Sequence, residues 1–116
     1  MKYSLSPIPG RGLTIALSGE LDINTVDGLR TVFEHLVALE VRHIEINLRG
    51  LRMIDSLGVG ALLGFYKRIR AQGGEVVLRE CGGQPMAILH LVHFDRFMMA
   101  PSDGRSLGGD GPARTG

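Results

Sequence analysis

Segments with strand-like and helix-like hydrophobic patterns alternate along this chain, and that alternation limits the folds open to it. Residues 13–17 and 44–48 place apolar side chains at every second position, as half-buried strands do. Apolar residues three or four apart between residues 26 and 37 predict a helix that runs to about Glu40. Because a helix joins one strand to the next, these strands need crossover connections and are expected to be parallel.

The remaining segments extend this alternation in both directions. They are a strand at residues 2–6 that turns back as a hairpin, a helix from near Ser56 to Gly73-Gly74, a short strand at residues 75–79, a helix from Pro85 through Val92, and a candidate final strand at residues 97–99. Gly50 is expected to mark the exit of the strand at residues 44–48. The predicted fold is α/β, with a small mixed, mostly parallel sheet of four to five strands and helices packed on it.

Length and composition fit one compact domain followed by a tail. The chain has 116 residues and 44% hydrophobic content, which suits a single core, and we assign that domain to residues 1–100. Residues 101–116 are rich in glycine and have little apolar surface to offset the entropy of ordering them. They are predicted to form a flexible tail.

Charge, hydropathy and cysteine content exclude several classes of function. A formal net charge of +1 gives no strong field to attract nucleic acid, so no direct nucleic-acid partner is expected. No apolar run approaches the roughly 20 residues that cross a bilayer, and the N-terminus lacks the apolar core of a secretory signal. We therefore expect a cytoplasmic protein. The single cysteine, Cys81, excludes an internal disulfide and is expected to be a small buried residue at a strand end.

The segment from Met53 to Gly60 places a polar Asp-Ser pair in apolar sequence where a helix begins. Ser56 is predicted to sit like a helix cap with an exposed hydroxyl, which suits capping, a phosphate-cradling loop, or modification by a kinase. A phosphate on Ser56 would meet free amides and the positive end of the helix dipole. It would also add roughly −1.5 to −2 charge beside Asp55 and so repel a partner that buries this region.

The glycines after Ser56 also suggest a dinucleotide-binding loop. Gly58, Gly60 and Gly64 approximate the fingerprint, and Glu80 lies about the right distance downstream to bind a ribose hydroxyl. The predicted strand ends well before Gly58, however, and no lysine follows the glycines as a P-loop requires. We expect Gly60 and Gly64 to permit close packing of the helix on the sheet, and we expect no cofactor.

Catalysis and metal binding receive weaker support. Ser56 is not in a Gly-x-Ser-x-Gly elbow, although spacing alone does not exclude an approach by one of the four histidines, which are His35, His43, His90 and His93. His90 and His93 without a third ligand are weak evidence for zinc. Glu20, Asp22 and Asp55 could bind a hard cation, but acidic residues at loop ends commonly cap helices. We therefore predict no catalytic residues, no metal and no enzymatic activity.

Two motifs resemble those of a known family, the STAS domains. Residues 53–63 look like the family's Asp-Ser-x-Gly signature, and Gly19-Glu20-Leu21-Asp22 is similar to its turn before the first helix. The resemblance covers about residues 3–100. It implies a stand-alone anti-sigma factor antagonist whose unphosphorylated form binds an anti-sigma factor serine kinase and thereby releases the sigma factor.

The resemblance also implies roles for particular residues. Ser56 matches the phosphoacceptor, which the kinase modifies and a serine phosphatase resets. The residues that it places on the partner-binding surface are Glu20, Asp22, Asn24, Asp55, Leu57, Gly58, Val59 and Gly60. An alternative within the same fold is a non-catalytic STAS subunit of a lipid-transport ATPase or of a stress-signalling assembly.

Overall fold

The computed structural model describes residues 1–92 of the chain. Its elements, in chain order, are β1 (Lys2–Ile8), β2 (Gly12–Leu21), α1 (Val26–Ala38), β3 (His43–Ile54), α2 (Ser56–Ala71), β4 (Glu75–Arg79) and α3 (Gly83–Leu91). The predicted strand at residues 97–99, the predicted tail at residues 101–116 and His93 lie outside the described residues. Within the described part, no helix is long and apolar enough to cross a membrane.

The strands form one sheet in the order β1-β2-β3-β4. β1 and β2 are an antiparallel hairpin, whereas β2 with β3 and β3 with β4 are parallel pairs. Each parallel pair is joined by a helix, as the length of a crossover connection requires. The predicted small mixed, mostly parallel sheet with packed helices is confirmed.

Alternate residues of the strands supply the sheet's share of a single core. Ile15 and Leu17 of β2 and Ile44 and Ile46 of β3 are buried in one cluster with apolar residues of all three helices. Within that cluster the rings of Phe33 and Phe65 stack, with centroids 3.9 Å apart and planes 5° from parallel. The two aromatic rings therefore join α1 to α2 over the sheet.

β3 is longer than the sequence predicts, and Gly50 does not end it. The strand continues through Gly50 to Ile54, and Gly50 pairs with Ser18 of β2 next to a shift in register. A Cβ atom at residue 50 would lie 2.7 Å from the Ser18 Cβ, so glycine is needed here for the close approach of the two strands. The expectation that Gly50 marks the exit was wrong. β3 instead delivers the chain directly to α2, with Asp55 alone between them.

The opposite end of β3 carries a network of charged side chains. The His43 imidazole lies between two carboxylates, with Nδ1 2.6 Å from Glu75 Oε2 and Nε2 3.1 Å from Glu45 Oε2. Arg79 donates from Nε to the other oxygen of Glu45 over 2.8 Å. The His43 side chain is only 11% exposed, and this network satisfies its polar atoms at the margin of the core.

Cys81 follows β4 and is partly buried against the core. Burial raises the pKa of its thiol to about 11. At neutral pH the residue is therefore a thiol rather than a reactive thiolate, in keeping with a packing role.

Candidate functional site

The predicted site residues come from two connections at the carboxyl edge of the sheet. Residues 20–25 lead from β2 into α1, and residues 55–60 form the start of α2. β2 and β3 are parallel neighbours in which Leu21 is the register partner of Ile54, so both connections leave the sheet at the same edge. We call residues 20–25 and 55–60 together the Ser56 corner. The structure brings all nine predicted phosphoacceptor and partner-binding residues into these two connections.

Asp55 holds the Ser56 corner together through both carboxylate oxygens. Oδ1 accepts a hydrogen bond from the Gly58 N–H at 3.0 Å, and Oδ2 accepts one from the Ile23 N–H at 3.1 Å. The backbone N–H of Asp55 donates to the Leu21 carbonyl at 3.1 Å. One residue thus caps α2 and fastens the β2–α1 connection to it.

The cap of α2 is Asp55 and not Ser56, which corrects the expectation from sequence. Asp55 has extended backbone angles and accepts from the third helical amide, whereas Ser56 is the first helical residue. The carboxylate binds two N–H donors at once, which a single serine hydroxyl at this position would not do as well. The Ser56 hydroxyl is consequently not used for capping.

Ser56 is exposed, and no hydrogen bond engages its hydroxyl within the part of the chain that the structure describes. The first intrahelical bond of α2 runs from the Val59 N–H to the Asp55 carbonyl. The amides of Ser56 and Leu57 precede that bond and belong to the electropositive helix terminus. The geometry therefore presents a free hydroxyl beside an anion-tolerant backbone.

Asp22 and Thr25 shape the β2–α1 connection from within. Asp22 Oδ1 accepts from the Asn24 N–H at 2.9 Å, and Thr25 Oγ1 donates to the Glu20 carbonyl at 2.9 Å while accepting from the Asp22 N–H at 3.0 Å. Asn24 is exposed. The turn is thus fixed by its own polar groups, which is the usual role of aspartate and threonine in such turns.

The acidic side chains of the corner differ in the hydrogen bonds and ion pairs that they already make. Glu20 is exposed and lies 3.7 Å from a guanidinium nitrogen of Arg52, an exposed ion pair that contributes little to stability. Asp55 is only partly exposed and both its oxygens accept backbone hydrogen bonds. Glu20 is therefore the carboxylate most available to an incoming partner. Among residues 1–92, no group of three His, Cys, Asp or Glu side chains could hold a metal ion.

The glycines of α2 have different roles from those predicted. A Cβ on Gly58 would lie 2.7 Å from Ile54 Cγ1 and 2.8 Å from Leu21 Cγ, whereas one on Gly60 or Gly64 would meet nothing within 4 Å. Gly58, and not Gly60 or Gly64, is the residue that permits close packing of helix on sheet.

The open glycines lie instead in a groove between α1 and α2. Gly60 and Gly64 line it together with Phe33, Arg30 and Arg68, and its volume is about 260 Å³. On the neighbouring surface, Leu57 is 39% exposed and Val59 is partly buried against the core. The start of α2 therefore offers a partner both apolar side chains and bare helix backbone.

The distance in sequence between β3 and the glycines of α2 does not argue against a dinucleotide site. Because β3 runs to Ile54, the glycines do follow their strand directly, and that objection was wrong. The connection is the single residue Asp55, however, which leaves no glycine loop to wrap a pyrophosphate, and Gly58 faces the core. Glu80 accepts from Asn47 Nδ2 at 3.0 Å and so is already engaged. The geometry disfavours a dinucleotide site.

The described histidines lie away from Ser56. His43 begins β3 while Ser56 follows its end, and His35 and His90 lie in the last turns of α1 and α3. A serine nucleophile needs a base within hydrogen-bond reach, and His43, His35 and His90 each lie at the end of their element that is farther from the Ser56 corner. None of the three described histidines is therefore positioned to activate the Ser56 hydroxyl.

Sequence reasoning missed one residue that contacts this region. Gln84, at the start of α3, accepts from the Ile54 N–H at 2.9 Å and donates to the Ile54 carbonyl at 3.0 Å. Its place after Gly82-Gly83 and before a predicted helix-starting proline marked a fixed helix start, but no sequence pattern indicated its target.

Comparison with protein families and curated relatives points to one group of proteins. The family model described as STAS domain matches residues 4–104. An anti-sigma F factor antagonist from Paenibacillus polymyxa is 39% identical over 57% of this chain and 57% of its own length, so the chain spans little more than half of that relative. An anti-sigma F factor antagonist from Lysinibacillus sphaericus is 33% identical over 67% of this chain and 68% of its own length.

Solved structures share the fold. The anti-sigma factor antagonist SpoIIAA in its unphosphorylated form covers 87% of this chain and 89% of its own, with 24% identity and a TM-score of 0.71. The Bacillus cell fate determinant SpoIIAA in its phosphorylated form covers 88% and 94%, with 24% identity and a TM-score of 0.70. An anti-sigma factor antagonist from Mycobacterium paratuberculosis covers 87% and 86%, with 24% identity and a TM-score of 0.75.

Proposed function

The chain belongs to the STAS domain family, and from that premise we propose that it is an anti-sigma factor antagonist in a phosphorylation-controlled partner switch. In this proposal the unphosphorylated chain binds an anti-sigma factor that is a serine kinase, and the bound sigma factor is released in the cytoplasm. The kinase then phosphorylates Ser56 and dissociates, and a serine phosphatase restores the first state. The chain acts by binding and being modified, without a catalytic residue or cofactor of its own.

The observation that carries the proposal is the free, exposed hydroxyl of Ser56 at the first residue of α2. Asp55 supplies the helix cap, so phosphorylation would not remove a hydrogen bond on which the fold depends. The relatives from Paenibacillus polymyxa and Lysinibacillus sphaericus, both anti-sigma F factor antagonists, support the choice of partner class. SpoIIAA, which has this fold, has been solved in unphosphorylated and phosphorylated forms.

The charges around Ser56 explain how phosphorylation would act as a switch. A phosphate at the start of α2 lies next to unbonded helix amides, which favour an anion. It also lies beside the Asp55 carboxylate, so the corner would gain roughly −1.5 to −2 charge next to an existing negative charge. The free protein would keep its fold, whereas a partner that buries the corner would meet repulsion and a desolvation cost.

The partner would cover Glu20, Asp22 and Asn24 on one connection and residues 55–60 on the other. Within this surface Leu57 is the large apolar side chain next to the acceptor, and a complementary apolar surface on the kinase would bury it. Glu20 provides an exposed charge that can steer association. In this proposal the apolar residues at the start of α2 provide most of the affinity, and the acidic residues of the β2–α1 connection orient the partner.

A reconstitution with the anti-sigma factor encoded in the same genome tests the proposal. Intact-mass analysis after incubation with that protein and ATP should show one added phosphate on the wild-type chain and none on Ser56→Ala. Ser56→Asp should weaken the complex by at least about tenfold, which corresponds to the like-charge and desolvation costs expected at a buried interface. Ser4→Ala removes an exposed hydroxyl on β1 and serves as the matched control, with unchanged mass gain and affinity.

Two results would contradict the proposal. If Ser56→Asp and wild type bound the anti-sigma factor with equal affinity, negative charge at Ser56 would not control binding. Normal function of Ser56→Ala, together with co-purification of an ATPase or a large signalling assembly from the host, would favour a non-catalytic STAS subunit instead.

A further inference from the structure

The last part of β3 has a strand neighbour on one side only. β4 pairs with β3 from His43 to Asn47, whereas β2 pairs with β3 as far as Ile54. In the described part of the chain, no strand pairs with β3 beyond Asn47 on the β4 side. Buried backbone groups there need another source of hydrogen bonds, because leaving them unpaired is costly.

Gln84 provides such hydrogen bonds at Ile54, which lies two positions before Ser56. Its carboxamide accepts from the Ile54 N–H at 2.9 Å and donates to the Ile54 carbonyl at 3.0 Å. An amide side chain thus supplies the donor and acceptor that a neighbouring strand would otherwise offer. Ile54 is 1% exposed and is the last residue of β3, immediately before Asp55.

The position of Gln84 is itself fixed by the first turn of α3. Gly83, which precedes it, has φ +58°, a conformation that suits glycine, and Pro85, which follows it, is buried. On its other side, the segment is fastened to β2 through the Asp55 N–H and the Leu21 carbonyl. The backbone that leads to Ser56 is therefore held between β2 and α3.

We propose that Gln84 is a positioning residue for the phosphoacceptor: it ties α3 to the Ile54-Asp55 backbone and so sets the place in which Ser56 is presented to the kinase. The inference rests on the proposed function for its consequence, because Gln84 acts through Ile54 and Asp55 and need not touch the partner. It makes the placement of α3 a determinant of phosphorylation and of binding at the Ser56 corner. A displacement of α3 would withdraw the carboxamide and loosen the acceptor segment.

Gln84→Met tests this, since methionine has a similar length and cannot replace either hydrogen bond. Gln72→Met is the matched control, because Gln72 also uses its side chain to bridge elements, donating to the Val37 carbonyl at 2.9 Å near the far end of α2. The first readout needs no partner. Native-state amide hydrogen exchange should be faster at Ile54 by about tenfold in Gln84→Met, after the change in global stability is subtracted, and unchanged at Ile46.

The second readout is the rate at which the anti-sigma factor kinase of the same genome phosphorylates Ser56. We expect kcat/KM to fall by about fivefold or more in Gln84→Met and to stay within about twofold of wild type in Gln72→Met. A fall of equal size in the two variants would reduce Gln84 to a general stabilising residue and overturn the inference.

The two readouts separate this inference from the proposed function. If wild-type Ser56 accepts no phosphate, the proposed function fails, and the exchange rate at Ile54 still decides whether Gln84 holds the segment. If wild type and Gln84→Met are phosphorylated at the same rate, the inference fails while the proposed function stands. Exchange that changes equally at Ile54 and Ile46 would also overturn it, because the effect would then be global.

Discussion

The carboxylate of Asp55 accepts a hydrogen bond from the backbone N–H of Ile23, a 3.1 Å contact between residues 32 positions apart in sequence. The same carboxylate caps α2 through Gly58. The Ser56 corner is therefore a single unit in which the acceptor and the β2–α1 connection share one anchor. A partner that recognises either connection meets both in a fixed relation.

Replacement of Asp55 should destabilise the fold and disorganise the Ser56 corner. Asp55→Ala removes the cap of α2 and the hydrogen bond to the Ile23 N–H, and we expect the free energy of unfolding to fall by about 1–2 kcal/mol in urea denaturation. Asp27→Ala is the control, because Asp27 also lies in the first turn of a helix but is exposed, with an ion pair to Arg30 at 3.7 Å. Similar losses in the two variants would show that the link to Ile23 and Gly58 contributes nothing specific.

Gly58 and Gly60 should respond in opposite directions to alanine. At Gly58 the added methyl group would overlap Leu21 and Ile54, so we expect Gly58→Ala to destabilise the protein by about 1–3 kcal/mol despite the better helix propensity of alanine. At Gly60 the added group meets open space, and Gly60→Ala should stabilise the protein by about 0.5–1 kcal/mol. Chemical denaturation of both variants measures the difference. Equal effects would contradict the packing assigned to Gly58.

Gly60 should also affect binding of the partner. If the partner covers the start of α2, Gly60→Ala should weaken binding while leaving the fold more stable, because the new methyl group projects from the exposed helix surface. Titration calorimetry with the anti-sigma factor would measure this, with Gly64→Ala one turn further along α2 as the comparison. Unchanged affinity in Gly60→Ala would place the partner's contact elsewhere on the corner.

Hydrophobic periodicity was sufficient to predict β2, α1 and the first part of β3, because each of them buries one face. The alternation of Ile44 and Ile46 with polar residues, and the spacing of Leu29 and Phe33, follow directly from which side chains reach the core. The parallel arrangement then follows from the helical connections. The Asp-Ser motif likewise identified where α2 begins to within one residue.

The details that sequence could not predict depend on contacts between distant segments. Gly50 looks like a strand end, and its role in letting β2 approach is visible only once Ser18 lies opposite it. Gly58 and Gly60 are equivalent in the sequence pattern and differ only in what faces them. Gln84 has no local signal for its bond to Ile54, because the two residues are 30 positions apart. The local sequence thus predicts a helix or strand, whereas the contacts that each of its residues makes depend on segments distant in sequence.

Glu45 should make the stability of the protein sensitive to acid. The hydrogen bond with His43, followed by the bond and charge of Arg79, holds the pKa of Glu45 below its ordinary value of 4.5, against the opposing effect of burial. A carboxyl whose pKa is lowered by folding adds stability above its unfolded pKa, and that contribution is lost as the pH falls through the folded pKa. We therefore expect Glu45→Gln to have a lower free energy of unfolding than wild type at pH 7.

The difference between Glu45→Gln and wild type should shrink as the pH falls below about 4.5, where the wild-type carboxyl begins to take up a proton. Urea denaturation at a series of pH values measures it. Glu34→Gln makes the same charge change at an exposed position of α1 and should give only a small difference from wild type at pH 7. Because the Glu45 side chain is only 15% exposed, added salt should screen its contribution weakly. If the difference between wild type and Glu45→Gln instead grew as the pH fell, folding would raise the pKa of Glu45 rather than lower it. The stabilising role of its contacts with His43 and Arg79 would then be refuted.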